Sequence, residues 1–528
     1  MLWSSWLLGL ELLLCLCVGF LGPVLGGRVL VMPVDGSHWL SMKLLVKELA
    51  LRGHKILVLV PETSLLIQDS EKQPYRTESF AVPYTAAGLA ESTKWLRESV
   101  FYPTPPLAGV TTNLHWLLNF TGTQVSGCEA LLYNGDLMED LRSQDFQLLL
   151  TDPFLPCGSI ISEALALPAV YFLRGLPCGL DLLALQCPSP PSYVPRFHSG
   201  STDSMGFLER VNNFVMSGVE LQLCRVMYAS FDELAARYLG RQVTYRELLG
   251  QGAIWLLRYD FAFEYPRPLM PNMVLIGGIN CVKGHGLSAE LEEFVEGSGE
   301  HGIVVFTLGS MVSSMPEEKA AIFFSAFSQI PQRVLWRYSG PVPDHMPENV
   351  KVMKWLPQND LLAHPKARAF ITHGGTHGIY EGICNGVPMV MMPLFGDQSD
   401  NVHRVASRGV AVVLSIFDVA SETLVDALEK VINDSSFKEN MQKLSAIHND
   451  RPIEPLDLAV YWTEFVMRHK GAEHLRPAAH HLNWIQYHCL DVIGFLLVVV
   501  ATVVLVMIKC CTVCLRRCCR GSQKTKED

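Results

Sequence analysis

Within residues 28–33 every position after Arg28 is apolar, the pattern of a strand buried on both faces. After a Gly-containing loop, apolar residues recur at Leu40, Leu44, Leu45, Leu49 and Leu51, the spacing of one helix face, and Gly53 marks the helix end. Residues 55–61 repeat the strand pattern, so the segment predicts a βαβ unit and a parallel sheet. Residues 62–130 show no clear period, with prolines at 103, 105 and 106, and read as an irregular, loop-rich insert. Residues 146–151 and 167–173 are further strands. The stretch 266–281 is rich in Pro and Gly and reads as a linker. A second alternation then begins, with strands at 302–308, 334–338 and 350–355 and a helix at 317–329. Residues 368–372 form one more short strand, a helical pattern starts at Thr376, and 456–470 is helical. The fold class is α/β.

The length of 528 residues predicts several domains, because single cores stop growing near ~250–300 residues. Residues 7–20 are apolar and Val24-Leu25-Gly26 resembles a cleavage site, so residues 1–26 read as a signal peptide, despite Glu11 and the lack of a basic start. Residues 492–508 carry no charge and, as a helix, span roughly 26 Å, enough for a bilayer core. Asp491 precedes them, and Lys509, Arg516, Arg517, Arg520, Lys524 and Lys526 follow. The positive-inside rule therefore predicts a type I protein with a transmembrane helix at 490–508 and a cytoplasmic tail at 509–528. A net charge of −10, with no basic cluster in the globular part, argues against a nucleic-acid partner. The eight cysteines between the presumed signal and the tail are widely spaced without a metal-ligand pattern. Buried free thiols are the default reading, and no pairing is assignable. The tail cluster Cys510, Cys511, Cys514, Cys518 and Cys519 reads equally as palmitoylated or as reduced thiol. Asn119 and Asn433 head glycosylation tripeptides.

Candidate chemistry concentrates in residues 355–398. The strand at 368–372 breaks at His373-Gly374-Gly375 before the helix at Thr376. Two glycines between a strand and a helix start let backbone N–H groups approach an anion, which makes a phosphate seat from Gly375, Thr376 and His377. His377 and Glu381 share one helix face, and the carboxylate suits ribose hydroxyls. A second apolar run, 388–395, ends in Gly396-Asp397-Gln398. An acid and an amide thus stand at the carboxyl end of a parallel strand. Trp355 offers a flat face to a base and Gln358 an amide to its edge. Together these predict a nucleotide-sugar site. In the first half, His38 opens the first helix and Asp152 follows a different strand on the same sheet edge. A helix N-terminus disfavours a cationic ring, which suits His38 to taking a proton, with Asp152 orienting it. Read alone, a lone His is more often structural and Asp-Pro a turn.

The ordered set in 355–398 resembles the signature of the UDP-glycosyltransferases. MPVDGSHWLSM, LTDPFLPCG, YPRPLMPNMV, GGINC, GIVVFTLGSMV, RPIEPLDLAV and MRHKGAEHLRPAA extend the likeness to the vertebrate UDP-glucuronosyltransferases, nearest the phenol and bilirubin branch. The resemblance implies a GT-B fold, two Rossmann-like doubly wound domains facing a cleft. It divides the chain into an acceptor domain at 27–281, a UDP-sugar domain at 282–450 and return helices at 451–489. It implies inverting transfer of glucuronate from UDP-glucuronate to small lipophilic acceptors, giving β-glucuronides in detoxification, with His38 as base and Asp152 as its support. Ser310, in the TLGSM turn, and His373 then hold the diphosphate. Arg258 meets the glucuronate carboxylate, and Asp397 and Gln398 take sugar hydroxyls. Some relatives have Asn where this chain has His377. UDP-glucuronate is a co-substrate, and neither a covalent cofactor nor a catalytic metal is expected. The tail lysines resemble an endoplasmic reticulum retrieval signal, placing the catalytic part in the lumen, and the family suggests a homo- or hetero-dimer. The alternatives are the same fold using UDP-glucose or another UDP-sugar, and a catalytically silent lipophile-binding or partner subunit.

Overall fold

The computed structural model describes residues 26–523 apart from 65–66, 68–71, 90, 92–98, 104–105, 198, 282–283 and 285. The expected signal peptide, except Gly26, and the tail lysines Lys524 and Lys526 lie outside the described residues. The chain up to Leu475 forms one compact unit, and the segment from Arg476 onward is a second, described separately below.

Two parallel sheets carry the first unit. One contains β1 (Arg28–Met32), β2 (Lys55–Pro61), β3 (Arg76–Phe80), β4 (Leu148–Thr151), β5 (Ala169–Leu173), β6 (Ile254–Leu257) and β7 (Met273–Leu275), in the order β3-β2-β1-β4-β5-β6-β7. The other contains β8 (Ile303–Thr307), β9 (Arg333–Arg337), β10 (Val350–Met353), β11 (Ala367–Thr372), β12 (Met389–Met391) and β13 (Ala411–Val413), in the order β10-β9-β8-β11-β12-β13. In each sheet the strands build outward in one direction and then restart on the other side. That leaves a crevice at the carboxyl ends of β1 and β4, and another at those of β8 and β11.

Helices cover both faces, which is why the central strands are buried along their length. The alternation of strand side chains sorts them into two cores. Leu30, Leu57, Leu149 and Trp255 pack against Phe231 and Leu234. Val29, Val31, Leu148 and Leu150 instead face Leu45 and Leu49 of α1 (Ser37–Leu51).

The segment 62–130 departs from expectation, because it holds β3 and the long helix α2 (Pro106–Leu132). Thr, Val and Gly are frequent in α2 and weaken the helical signal. Burial of Cys128, Leu131 and Leu132 in the core supplies what propensity does not. The stretch 266–281 is also more than a linker, since β7 within it pairs with β6 as the last strand of its sheet. Downstream come α3 (Phe207–Leu239), α4 (Glu317–Phe327), α5 (Thr376–Cys384), α6 (Gln398–Ala406) and α7 (Pro455–His469). The last returns to the first sheet, where Ala459, Val460 and Val466 join the α1 side of the core.

The free-thiol default fails at six cysteines. Cys128–Cys157, Cys178–Cys224 and Cys281–Cys384 are disulfides with Cα–Cα distances of 5.6, 6.3 and 6.2 Å. Their sequence separations of 29, 46 and 103 follow from the fold and form no local motif. Cys187 is a buried free thiol.

In the second unit, α8 (Leu490–Gln523) is long and apolar enough to cross a membrane between Leu490 and Cys518. The helix continues past residue 508, where the apolar run ends. Leu515, Arg516 and Arg517 favour helix and no proline intervenes.

Candidate active site

β1 and β4 are neighbours with Met32 opposite Thr151, so the residues that follow them emerge at one edge. After β1 the chain turns through Gly36, at φ 83°, and starts α1 at Ser37, which makes His38 the second helical residue. Asp152 directly follows β4. His38 Nδ1 lies 2.6 Å from Asp152 Oδ2, and the Phe154 N–H donates to Asp152 Oδ1 at 2.9 Å. The carboxylate side chain is 1 % exposed and the imidazole 30 %. An ionised carboxylate only accepts, so Nδ1 carries the hydrogen and Nε2 keeps its lone pair. The His38 ring meets the Phe154 ring edge-on at 5.7 Å between centroids.

In the second sheet, β11 ends at Thr372 and α5 begins at Thr376, so His373 lies in the crevice at the carboxyl ends of β8 and β11. Its ring fits between two glycines. A Cβ at Gly309, where φ is 83°, would come within 2.5 Å of the ring, and one at Gly375 within 2.6 Å. Burial lowers the His373 pKa to about 4, so the ring is neutral at physiological pH, and its Nδ1 has no partner among the described residues. Ser310 lies in the turn after β8. Arg337, at the end of β9, donates to the carbonyls of Gly309 and Ser310 and stands 5.2 Å above the exposed Trp355 ring.

Glu381 is buried one turn into α5. It accepts from Gln358 Nε2, and its Oε1 lies 3.2 Å from His377 Nε2. His377 Nδ1 is 3.1 Å from Ser41 Oγ on α1, and Arg258 donates to the same hydroxyl at 3.0 Å. A polar chain thus joins the two sheets. Arg258 is 5 % exposed, forms no ion pair among the described residues, and has an unpartnered Nε. Burial lowers its pKa, while Asp152 opposes the shift. Asn401 donates to Asp397 Oδ2 at 2.9 Å. Gln398 Oε1 accepts from the N–H groups of Leu394 and Phe395 at 2.8 and 3.1 Å, which leaves its NH2 group to donate elsewhere.

The two edges face each other. A Cβ on Gly36 would lie 3.4 Å from Met311 Sδ. Every catalytic and donor residue expected from the sequence borders one cavity of about 960 Å³. Apolar side chains also line it, among them Val60, Ile67, Phe80, Trp116 and Phe120. Sequence reasoning missed Arg337, Arg174 and Asn401. Arg337 closes a parallel strand, and the carboxyl-end rule could have found it. Arg174 pairs with Glu264 and lies 4.5 Å above the Tyr259 ring. No sequence motif marks Asn401, a buried amide that also donates to the Gly374 carbonyl at 3.1 Å. The glycosylation candidates lie apart from the cavity lining. Asn119 is exposed on α2, and Asn433 ends an exposed helix turn.

Two all-parallel sheets with facing crevices define a GT-B glycosyltransferase. Solved structures share the fold. The calicheamicin glycosyltransferase CalG4 aligns with TM-score 0.55 and 18 % identity, covering 84 % of this chain and 99 % of that one. Os79 from O. sativa in complex with UDP aligns with TM-score 0.56 and 15 % identity, covering 83 % and 100 %. The family profile described as UDP-glucoronosyl and UDP-glucosyl transferase matches residues 27–525, and the chain belongs to that family. It is 52 % identical to UDP-glucuronosyltransferase 1A1 of Rattus norvegicus, covering 98 % of this chain and 97 % of the relative. It is 51 % identical to the Homo sapiens protein of the same name, over 98 % and 97 %. It is 52 % identical to a UDP-glucuronosyltransferase of Pleuronectes platessa, over 89 % and 100 %. The protein is therefore an enzyme whose substrates are a UDP-sugar and an acceptor.

Proposed function

We propose that the enzyme transfers glucuronic acid from UDP-glucuronate to hydroxyl groups of small lipophilic acceptors, with inversion, in detoxification and clearance. The observation that carries this is the His38–Asp152 pair on one wall of a cavity whose opposite wall holds the His373–Gly375 turn. His38 Nε2 takes the acceptor proton as the acceptor oxygen attacks the anomeric carbon. UDP departs from the opposite face, so an α-linked donor yields a β-glucuronide. Asp152 fixes the ring tautomer and offsets the imidazolium that forms.

Negative charge grows on the departing diphosphate. The N–H groups at the start of α5, the neutral His373 ring and the Ser310 hydroxyl donate to it. Trp355 stacks the base, Gln358 reads its edge and Glu381 accepts from the ribose. Asp397 and Gln398 hold the sugar hydroxyls. These donors come from the chain, and the proposal includes catalysis without a metal, so chelation should leave turnover unchanged. Arg258, buried and without an ion-pair partner among the described residues, favours glucuronate over glucose, since a charge-assisted pair there contributes about 1.5–3 kcal/mol.

Three disulfides indicate an oxidising compartment. With the apolar α8, they support a single-pass protein of the endoplasmic reticulum membrane whose catalytic unit is lumenal.

The test uses UDP-glucuronate and a phenol. His38→Ala and Asp152→Ala should abolish turnover while UDP still binds, and undiminished product from both would refute the base assignment. Donor competition separates the sugars. Arg258→Ala should lose its preference for UDP-glucuronate over UDP-glucose, and an unchanged preference would point to another donor.

A further inference from the structure

The cysteines of the first unit follow one rule. Among its described residues six are joined in disulfides and the seventh, Cys187, is a buried thiol. Free cysteine ranks with the most buried residue types, since it packs as a small hydrophobe and is open to oxidation when exposed. The second unit departs from that rule. Cys510, Cys511, Cys514 and Cys518 are free and exposed on α8, just past the apolar run that ends at Ile508. The helix continues unbroken through these positions, which fixes their arrangement around its axis. Relative to Cys510, helical periodicity sets Cys514, Cys518 and Cys511 about 40°, 80° and 100° round. All four thiols share one face, and Lys509, Arg516 and Arg517 fall outside it.

Depth along the helix separates these thiols. From Ile508, Cys510 and Cys511 lie about 3 and 4.5 Å out, Cys514 about 9 Å and Cys518 about 15 Å. The headgroup layer on one side of a bilayer is roughly 5–7.5 Å deep. Cys510 and Cys511 therefore fall within it and Cys514 at its outer edge, where an attached chain can turn back into the hydrocarbon. Lys509, Arg516 and Arg517 hold the same stretch against anionic headgroups. A metal does not account for the cluster, because among the described residues no three of these thiols converge as one ion would require. The described thiols beyond the apolar run are all free, as a reducing compartment keeps them.

We propose that Cys510, Cys511 and Cys514 are S-acylation sites that carry long-chain fatty acyl groups. A cysteine thiolate attacks the thioester carbonyl of a long-chain acyl-coenzyme A. The new S–C bond forms as the bond to coenzyme A breaks, and coenzyme A leaves as its thiol with the proton the cysteine lost. The proposal rests on α8 spanning the bilayer with its tail in the cytosol. The test expresses the full chain in cultured cells, blocks free thiols, cleaves thioesters with hydroxylamine and tags the released thiols with maleimide-polyethylene glycol. Wild type should shift by up to three tags, one for each thiol. The triple variant Cys510→Ser, Cys511→Ser, Cys514→Ser should lose every shift, while Cys489→Ser, at the other end of the apolar run, should keep them. Retained turnover of a UDP-sugar would show that the triple variant is folded. No shift in the wild type, or shifts that survive the triple substitution, would overturn the proposal. An impermeant maleimide, added to sealed microsomes after hydroxylamine, tests the topology separately. Tail thiols tagged there without any hydroxylamine-dependent shift would refute acylation alone. Tagging only after detergent would refute the cytosolic tail and the proposal with it.

Discussion

Replacing Asp152 by Asn keeps the shape of the side chain and removes its charge. In the wild type, Oδ1 accepts from the Phe154 N–H at 2.9 Å and Oδ2 meets His38 Nδ1 at 2.6 Å. The Phe154 N–H can only donate, so it claims the carbonyl oxygen of the new amide. The amide NH2 then faces His38 Nδ1 and requires a lone pair there. The ring hydrogen moves to Nε2, the nitrogen that has to accept the acceptor's proton. Two losses combine: a buried charge-assisted bond, about 1.5–3 kcal/mol, and a base held in the wrong tautomer. A triad aspartate replaced in this way lowers kcat by about 10⁴-fold, and a drop of about 10³–10⁴-fold, or about 4–5.5 kcal/mol, is expected here. UDP affinity measured by calorimetry should not change, because Asp152 belongs to the opposite sheet. An Asn variant that keeps more than about a tenth of the wild-type kcat, a loss under about 1.4 kcal/mol, would refute the reasoning.

Further predictions concern stability and the donor seat. Unfolded chain protonates a histidine near 6.5, whereas burial holds folded His373 at about 4. Stability is therefore full above pH 6.5 and falls as pH drops through that window, by about 2 kcal/mol once cavity water is allowed for. Denaturant unfolding at pH 7 and pH 4.5 should show His373→Gln losing less stability than wild type, and equal losses would count against the assignment. Gly309→Ala places a Cβ against the His373 ring at φ 83°, and should cost about 1–3 kcal/mol. It should also weaken UDP binding about tenfold, equivalent to about 1.4 kcal/mol, whereas unchanged calorimetric affinity would show that the ring does not shape the seat. Cys281→Ser with Cys384→Ser opens a link between residues 103 apart and should lower stability by about 4 kcal/mol. Comparing thermal unfolding of variant and wild type in detergent checks this value.

The parts legible in the sequence were those in which local pattern and tertiary role agree. β2 matches its apolar run at both ends, and α5 starts at Thr376 where the glycine pair ends. The expected site residues border one cavity because most sit at strand ends or in the first turns of helices, where chemistry and chain direction coincide. α2 was hidden by its Thr, Val and Gly content, since packing rather than propensity makes it helical. β7 is only three residues long and lies among prolines and glycines. The role of Arg258 came from resemblance, and its burial against Ser41 depends on an interaction across 217 positions that no local pattern encodes. Disulfide partners were unreadable for the same reason.

The return of α7 to the first sheet means that the chain passes between the sheets twice. One passage leaves β7, and the other precedes α7. They meet where Arg451 Nη1 donates to the Gly277 carbonyl at 2.9 Å, and nearby His448 Nδ1 lies 2.6 Å from Asp260 Oδ2 in the loop between β6 and β7. Arg52 and His54 clamp the second passage's helix through Asp457 and Glu464. Two adjacent tethers act like the pins of a door. A swing of the halves about that line would carry the imidazole of His38 toward the donor along a single arc.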